Sequence, residues 1–305
     1  MSQHNNTSIC CIMVTFYPDM DTIETIFESL LPQVDQVLIV DNGSDRSAMI
    51  PILAKNKIHV IWNPKNLGIG EALNQGISYA EKNGFSHVLF LDQDSIPSRN
   101  MVLNLVCASE RLKQKQPDVV VGPKIMDMQT GRETHFVTFK FPFVRRSHCS
   151  DSGKTAIHAD FLITSGMLIP VSLFRKTGKM DKRLFIDNVD LEWCFRARKK
   201  GVLFYGVCDA SLAHSLSDQT IQVWIGRNMT IHWHRSPVRI YYITRNRLWL
   251  YSRPYTPVEW IIHDCLRMVI KQLFVIIFFQ NRADNIRMFA KGIRDRFTGY
   301  LGEYH

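Results

Sequence analysis

The residues with the clearest capacity for chemistry lie in Val88-Leu89-Phe90-Leu91-Asp92-Gln93-Asp94-Ser95. An apolar run ending in two carboxylates one residue apart brings both within reach of one hard divalent cation. Such a cation also binds diphosphate oxygens and takes up the charge of a departing phosphate. The same run suits a strand-end turn in which Asp94 or Ser95 caps the next helix. Asp19-Met20-Asp21 has the same spacing and reads as a helix cap, so the spacing alone carries two meanings.

A second group is Asp187-Asn188-Val189-Asp190-Leu191-Glu192-Trp193-Cys194-Phe195-Arg196. In one reading Asp187 is a helix N-cap, Asp190 is its N3 residue, and Glu192 pairs with Arg196 one turn later. In the other, Asp190 is a general base at a helix N-terminus, where the dipole favours the ionised carboxylate. His214, after a strand, is a metal ligand or a surface or core histidine. Asp41 either accepts a hydrogen bond from a nucleobase imide or shapes the turn it begins. Asn66-Leu67-Gly68-Ile69-Gly70 resembles a phosphate loop, but Leu73 takes the third glycine position of G-x-G-x-x-G and disfavours a dinucleotide.

The elements that must hold these groups alternate in type. Strands are expected at Ile9–Thr15, Gln36–Val40, His59–Trp62, His87–Leu91 and Val119–Val121. Between them come helices at Asp21–Leu31, with an Asp21/Glu24 capping box, and at Ser47–Asn56. Others run from about Gly68 to Asn83, closed by Gly84, and over Ser98–Lys115. This alternation predicts an α/β fold, a mainly parallel sheet with helices on both faces, whose ligands bind beyond the carboxyl ends of the strands. Asp41, Asp92 and Asp94 fall there. His135–Val144 is a strand or a lid loop. Phe161–Ile169 is a strand interrupted by Thr164-Ser165-Gly166, and a helix over Asn188–Lys200 precedes a strand at Val202–Val207.

The net charge is +9, and Trp233–His305 carries +7 of it, with twelve Lys/Arg against five Asp/Glu. A basic segment calls for an anionic partner, nucleic acid or phospholipid. Interleaved Trp, Tyr and Phe favour lipid, and no recognition motif supports nucleic acid. The longest apolar run there, Leu273–Phe279, is far too short to span a membrane. The segment therefore reads as basic amphipathic helices at a membrane surface, or as helices packed on the catalytic domain or forming a homo-oligomer. The seven cysteines form no metal or redox motif and read as reduced thiols of a cytoplasmic protein. The first ten residues have no signal-peptide character.

In order and spacing these pieces resemble glycosyltransferase family 2, with its GT-A fold. The series is Met13-Val14-Thr15-Phe16-Tyr17, Val40-Asp41-Asn42-Gly43-Ser44, Asn66-Leu67-Gly68 with Asn74 and Gly76, and Leu91-Asp92-Gln93-Asp94-Ser95. It continues with Thr164-Ser165-Gly166, Asp190-x-Glu192-Trp193-x-x-Arg196 and His214. Within the family, Ile186–Arg198 and the stretch from Tyr241-Tyr242 to Arg245-Asn246 resemble bacterial rhamnosyltransferases of O-antigen and lipopolysaccharide synthesis.

The resemblance implies a catalytic domain over residues 1–232, with a nucleotide-sugar half at about 8–125 and an acceptor half at about 126–232. Residues 233–305 would be a membrane-associating or oligomerisation segment. It implies donor binding by Thr15, Tyr17, Asp41, Asn66, Asp92 and Gly166, and Mg²⁺ or Mn²⁺ held by Asp92, Asp94 and His214. Asp190 would be the acceptor-activating base. Many relatives have Glu before that Asp; Val189 here leaves Asp187 as a rival. The implied donor is dTDP-β-L-rhamnose, and the acceptor a glycan or polyprenyl-diphosphate-linked sugar at the inner face of the plasma membrane. The alternatives are a galactofuranosyl- or hexosyltransferase using a UDP-sugar, or a silent sugar-nucleotide-binding scaffold.

Overall fold

A computed structural model describes residues 7–47, 56–215, 219–224, 228–233, 236–278 and 282–304. The helix expected at Ser47–Asn56 falls outside the described residues but for its two ends, as do most side chains of Leu273–Phe279. The chain runs β1 (Ile9–Thr15), α1 (Met20–Leu30), β2 (Gln36–Asp41), β3 (Ile58–Trp62), α2 (Ile69–Lys82), β4 (His87–Asp92), β5 (Ile96–Pro97), α3 (Met101–Lys113) and β6 (Val119–Asp127). A hairpin of β7 (Phe136–Lys140) and β8 (Phe143–Ser147) follows. Then come α4 (Cys149–Ser152), β9 (Ala156–Ala159), β10 (Leu168–Pro170), α5 (Leu173–Thr177), α6 (Val189–Lys199) and β11 (Leu203–His214). After a second hairpin, β12 (Gln219–Trp224) and β13 (Asn228–Trp233), the chain ends in helices α7 (Pro237–Tyr251), α8 (Val258–Phe278) and α9 (Arg282–Phe297).

The sheet order is β3-β2-β1-β4-β10-β6-β11-β5, with β9 also on β11. β1, β2, β3 and β4 run parallel, as do β6 and β11; β10, β5 and β9 pair antiparallel. β1 shows why its sequence is apolar throughout. Cys10, Ile12 and Val14 point into one core, and Ile9, Cys11 and Met13 into the other, as in strands covered on both faces. Ala72, Leu73, Ile77 and Ala80 of α2 close the first core. Ile23, Ile26, Phe27 and Leu30 of α1, with Met101, Val102 and Leu105 of α3, close the second. Register pairs Thr15 with Asp41 and Val14 with Asp92, so β1, β2 and β4 end at one edge.

Several expectations change in detail. Helix α1 begins at Met20 and is capped by Asp19, whose carboxylate accepts from the Thr22 N–H at 3.1 Å. The capping-box pair Asp21/Glu24 thus lies inside the helix. Of Phe161–Ile169 only Leu168 and Ile169 pair as strand, in β10, because Gly166 turns the chain at φ +84°. β6 and β11 are longer than expected, and β11 carries a bulge between Val207 and Ser211. His135–Val144 is neither one strand nor a loop but most of the β7–β8 hairpin. Cys149 and Cys208 are not free thiols: they form a disulfide with an S–S length of 2.07 Å. The antiparallel pairing of β9 with β11, Ala156 opposite Val207, brings them together, a contact that spacing could not reveal.

The start of the basic segment is part of the main core. Trp249, Leu250 and Trp260 are buried in the same cluster as Trp193, Phe195 and Phe204. Among the described residues no helix is long and apolar enough to cross a membrane.

Candidate active site

β4 delivers Asp92 and Asp94, and β11 delivers His214 beside them. His214 Nε2 lies 3.9 Å from Asp92 Oδ2, and Nδ1 lies 3.4 Å from Asp94 Oδ1. One ligand atom from each residue fits within 4.8 Å of the others. A hydrogen-bonded chain fixes this geometry. The Asp92 N–H donates to Ser165 Oγ at 3.1 Å, Ser165 Oγ donates to Ser95 Oγ at 2.7 Å, and Ser95 Oγ meets His214 Nδ1 at 2.8 Å. With Nδ1 held by Ser95, Nε2 is left for a cation, the usual arrangement of a ligating histidine. Gly166 makes the turn possible, since a Cβ there would meet Pro123 at 2.5 Å. Its N–H donates to Phe90 O on β4.

Two carboxylates and an imidazole on one rim suit Mg²⁺ or Mn²⁺. The electrostatics agree. Burial raises the pKa of Asp92; His214 and Arg239 oppose that shift and Asp94 adds to it. Burial alone would lower the pKa of His214, yet the Asp94 hydrogen bond and the charges of Asp92, Asp94 and Asp127 leave it raised. The rim holds more negative charge than its own cations balance.

Asp41 differs. It is fully buried, and its carboxylate accepts from Thr15 Oγ1 (2.9 Å), Gly43 N (3.0 Å), Ser44 N (2.8 Å) and Ser44 Oγ (2.6 Å). A carboxylate has about four lone-pair sites, and all are used in shaping the turn. Beside it Tyr17, 65% exposed with φ +46°, donates its N–H to Ser44 Oγ, and Phe16 exchanges hydrogen bonds with Gln93. Asn66 Oδ1 accepts from Gly68 N at 2.9 Å. Gly68 has φ +83°, and a Cβ there would strike Phe185. Thr15, Tyr17, Asp41, Asp92 and Asp94 thus border one edge of the sheet, with Gly166 behind the β4 end.

The acidic segment before α6 resolves into separate duties. Glu192 is buried and pairs with Arg196 through 2.7 and 2.8 Å contacts, and it accepts from Tyr255 OH at 2.8 Å. Asp187 pairs with Arg239 of α7 at 2.7 Å. It is not the N-cap: Asn188 holds that position, in a left-handed conformation and without a side-chain cap bond. Asp190 has no cationic partner among the described residues; its Oδ1 accepts from the Leu191 N–H at 2.8 Å. Burial, with the Asp92 and Asp187 charges behind it, lifts its pKa to about 6 against that backbone bond. Burial therefore outweighs the helix-end effect expected to keep this acid strongly ionised. A carboxylate with pKa near 6 is still mainly ionised at neutral pH and is a better proton acceptor than an ordinary aspartate.

Sequence reasoning missed what holds this segment. Phe185, Asp187 and Asn188 all have positive φ, a costly run for residues with side chains. Asn246 Nδ2 donates to Leu184 O, Ile186 O and Asp187 O, and Arg245 Nη2 donates to Leu184 O at 3.0 Å. Arg245 and Asn246 are fully buried on α7. Their adjacency within an aromatic helix was the available signal.

A family profile described as glycosyl transferase family 2 matches residues 11–178. The dTDP-rhamnosyl transferase RfbF of Shigella flexneri is 27% identical over 297 residues, covering 97% of this chain and 98% of that protein. Among solved structures, GalNAc-T7 with UDP, GalNAc and Mn²⁺ superposes with a TM-score of 0.60 at 13% identity over 97% of this chain, which spans only 58% of that one. S. aureus TarS 1-349 in complex with UDP-GlcNAc gives 0.55 at 13% identity, covering 96% and 81%. Since the profile spans more than half of the sequence and the sheet has the GT-A arrangement, the chain belongs to glycosyl transferase family 2 and is a glycosyltransferase.

Proposed function

We propose that this enzyme transfers L-rhamnose from dTDP-β-L-rhamnose to a hydroxyl of a glycan or polyprenyl-diphosphate-linked acceptor, with inversion at the anomeric carbon, in O-antigen-type polysaccharide synthesis. The donor assignment is supported by the near full-length similarity to the Shigella flexneri dTDP-rhamnosyl transferase. The observation that carries the mechanism is the pairing of an acid-rich rim, Asp92-Asp94-His214, with one half-buried acid, Asp190, that has no cationic partner among the described residues.

In this reading Asp92, Asp94 and His214 hold Mg²⁺ or Mn²⁺, which when bound supplies positive charge for the diphosphate leaving group. Thr15 and Tyr17 border the base, with Tyr17 as its stacking surface. Asp41 rigidifies the turn that frames the base, and an imide contact to Asp41 would have to replace a Ser44 hydrogen bond. Asn66 and Gly166 bound the donor pocket. Asp190 takes the proton of the acceptor hydroxyl, whose oxygen attacks from the face opposite the nucleotide. A diphosphate leaves without a general acid, and no second carboxylate is needed as nucleophile. The product of a β-L donor is then an α linkage.

The basic segment associates peripherally with the inner face of the membrane. Thiols are kept reduced on that side, so opening Cys149–Cys208 should leave transfer intact there; loss of activity on reduction would argue against the location. Donor hydrolysis measured across dTDP-rhamnose, UDP-galactofuranose and UDP-hexoses, with and without EDTA, tests the whole assignment. Turnover of UDP-sugars in preference to dTDP-rhamnose would overturn the donor.

A further inference from the structure

Away from the acidic rim, the β7–β8 hairpin and α8 enclose a cavity of about 370 Å³. Its walls carry the aromatic rings of Phe139, Phe161 and Trp260, the imidazoles of His135 and His263, and the guanidiniums of Arg146 and Arg267. The single acid in the lining, Asp264, is committed elsewhere: it accepts from Tyr251 OH at 2.7 Å and lies 3.4 Å from Arg247 Nε. Neither guanidinium, of Arg146 or of Arg267, has a side-chain hydrogen bond or close ion pair among the described residues, though the charge of Asp264 reaches Arg267. Burial, then the charges of Arg146, His148 and Arg267, push the pKa of His135 down to about 4, so its imidazole is neutral at neutral pH and Arg146 and Arg267 are the cavity's permanent cations.

The same two elements expose apolar side chains. Phe141 and Phe143, at the hairpin tip, are 70% and 64% exposed. On α8, Val258, Ile262, Leu266 and Val269 are each about half exposed. Their spacing forms one stripe along the helix, turned well away from Trp260, His263, Asp264 and Arg267, which line the cavity. Immediately behind the hairpin tip come Lys140, Arg145 and Arg146, all exposed. Apolar tip first and cations next is the layering of a lipid surface, where acyl chains lie beneath phosphates. An interface for a folded partner would instead have its charge depleted at the centre.

We propose that this cavity is a head-group site for an anionic phospholipid, with Phe141 and Phe143 entering the lipid surface. The inference rests on the peripheral membrane association proposed above and names the residues that make it; it is independent of the donor sugar and of the metal. Head-group phosphate sits between Arg146 and Arg267, and the rings of Phe139, Phe161 and Trp260 wall the site.

The test is co-sedimentation of the full chain with phosphatidylcholine vesicles, with and without phosphatidylglycerol. Wild type should bind only the anionic vesicles. Arg146→Gln/Arg267→Gln should bind them about thirtyfold more weakly, as expected for two cations lost at a membrane surface. Phe141→Ser/Phe143→Ser should also bind more weakly, whereas Lys82→Gln/Lys115→Gln, which removes equal charge from exposed positions at the end of α2 and just past α3 that do not line the cavity, should match wild type. Donor hydrolysis and melting temperature should be unchanged in all three, separating this result from misfolding and from the catalytic assignment. Binding by the arginine pair variant within about twofold of wild type would reject the cavity while leaving surface association standing. Displacement from vesicles by millimolar inorganic phosphate would reassign the site to a soluble anion and overturn the lipid. Failure of wild type to bind any vesicle would overturn both membrane inferences and leave glycosyl transfer untouched.

Discussion

Asp41 and Asp92 occupy equivalent places, each the last residue of a parallel strand flanking β1, yet their surroundings are opposite. Asp41 is sealed off and answers four donors within its own turn. Asp92 stands at a rim with Asp94 nearby and only a histidine and a more distant arginine to offset them. A satisfied carboxylate builds shape, whereas an under-compensated pair builds affinity for a cation. The contrast repeats on α6, where Glu192 is clamped by Arg196 and Tyr255 while Asp190, two residues earlier, has no cationic partner among the described residues.

The contrast predicts that removing these acids has different consequences. Asp94→Ala should weaken metal-linked nucleotide diphosphate binding by about a hundredfold or more, beyond the usual cost of losing a supporting residue. Its melting temperature should hold or rise, since like charges are relieved. Calorimetry with Mn²⁺ and a thermal melt read both, and a destabilised variant with normal affinity would place Asp94 with Asp41. Asp41→Asn should do the reverse. It turns an acceptor into a donor facing filled donor positions and should cost about 1–3 kcal/mol of stability by denaturant unfolding. A fully stable Asp41→Asn with lost nucleotide binding would mean that Asp41 contacts the base directly.

Asp190 supplies a pH test. Its pKa is raised in the folded state, so protonation stabilises the fold below about 4, and that contribution is lost as pH rises through about 6. At pH 7 the ionised group is a burden of about 1–2 kcal/mol once water's access to a half-buried carboxyl is allowed for. Asp190→Asn should therefore melt higher than wild type at pH 7, with the advantage gone near pH 4. Lower stability at pH 7 would make Asp190 a structural helix-start residue. The smallest effect is expected at the disulfide. Cys149→Ser should lower stability, by no more than about 4 kcal/mol on loop-closure grounds, without changing donor affinity.

Strand and helix order was legible because β1, β2, β4 and β6 are buried on both sides and so apolar throughout, and Gly84 marks a helix end where expected. The profile and fold likeness support the family that motif order suggested. Less legible were features that depend on long-range contact. Asp19 rather than Asp21 caps α1, because the cap is decided by one hydrogen bond to Thr22. The Cys149–Cys208 bond needs β9 and β11 to pair first. The Asn246 clamp joins residues about sixty positions apart, and the Arg245-Asn246 pair in an aromatic helix marks buried polar groups without saying what they hold. In the site, Asp92, Asp94 and His214 were readable as a set and the structure brings them together. Ser95 and Ser165 were invisible in their linking role, since serine after a strand is commonplace.

The central claim, a single half-buried base acting beside a metal rim, is tested most directly by turnover and donor affinity of Asp190→Asn measured together. The substitution keeps shape and removes the proton acceptor. Transfer should fall by roughly 10²–10⁴-fold, the usual scale for a general base, while metal-dependent donor affinity stays close to wild type. Asp187→Asn, which loses the pairing with Arg239 and one of the lesser charges behind the raised Asp190 pKa, should retain most of the transfer rate. Near-normal transfer by the Asp190 variant, with collapse in the Asp187 variant, would contradict the account and move the base to Asp187.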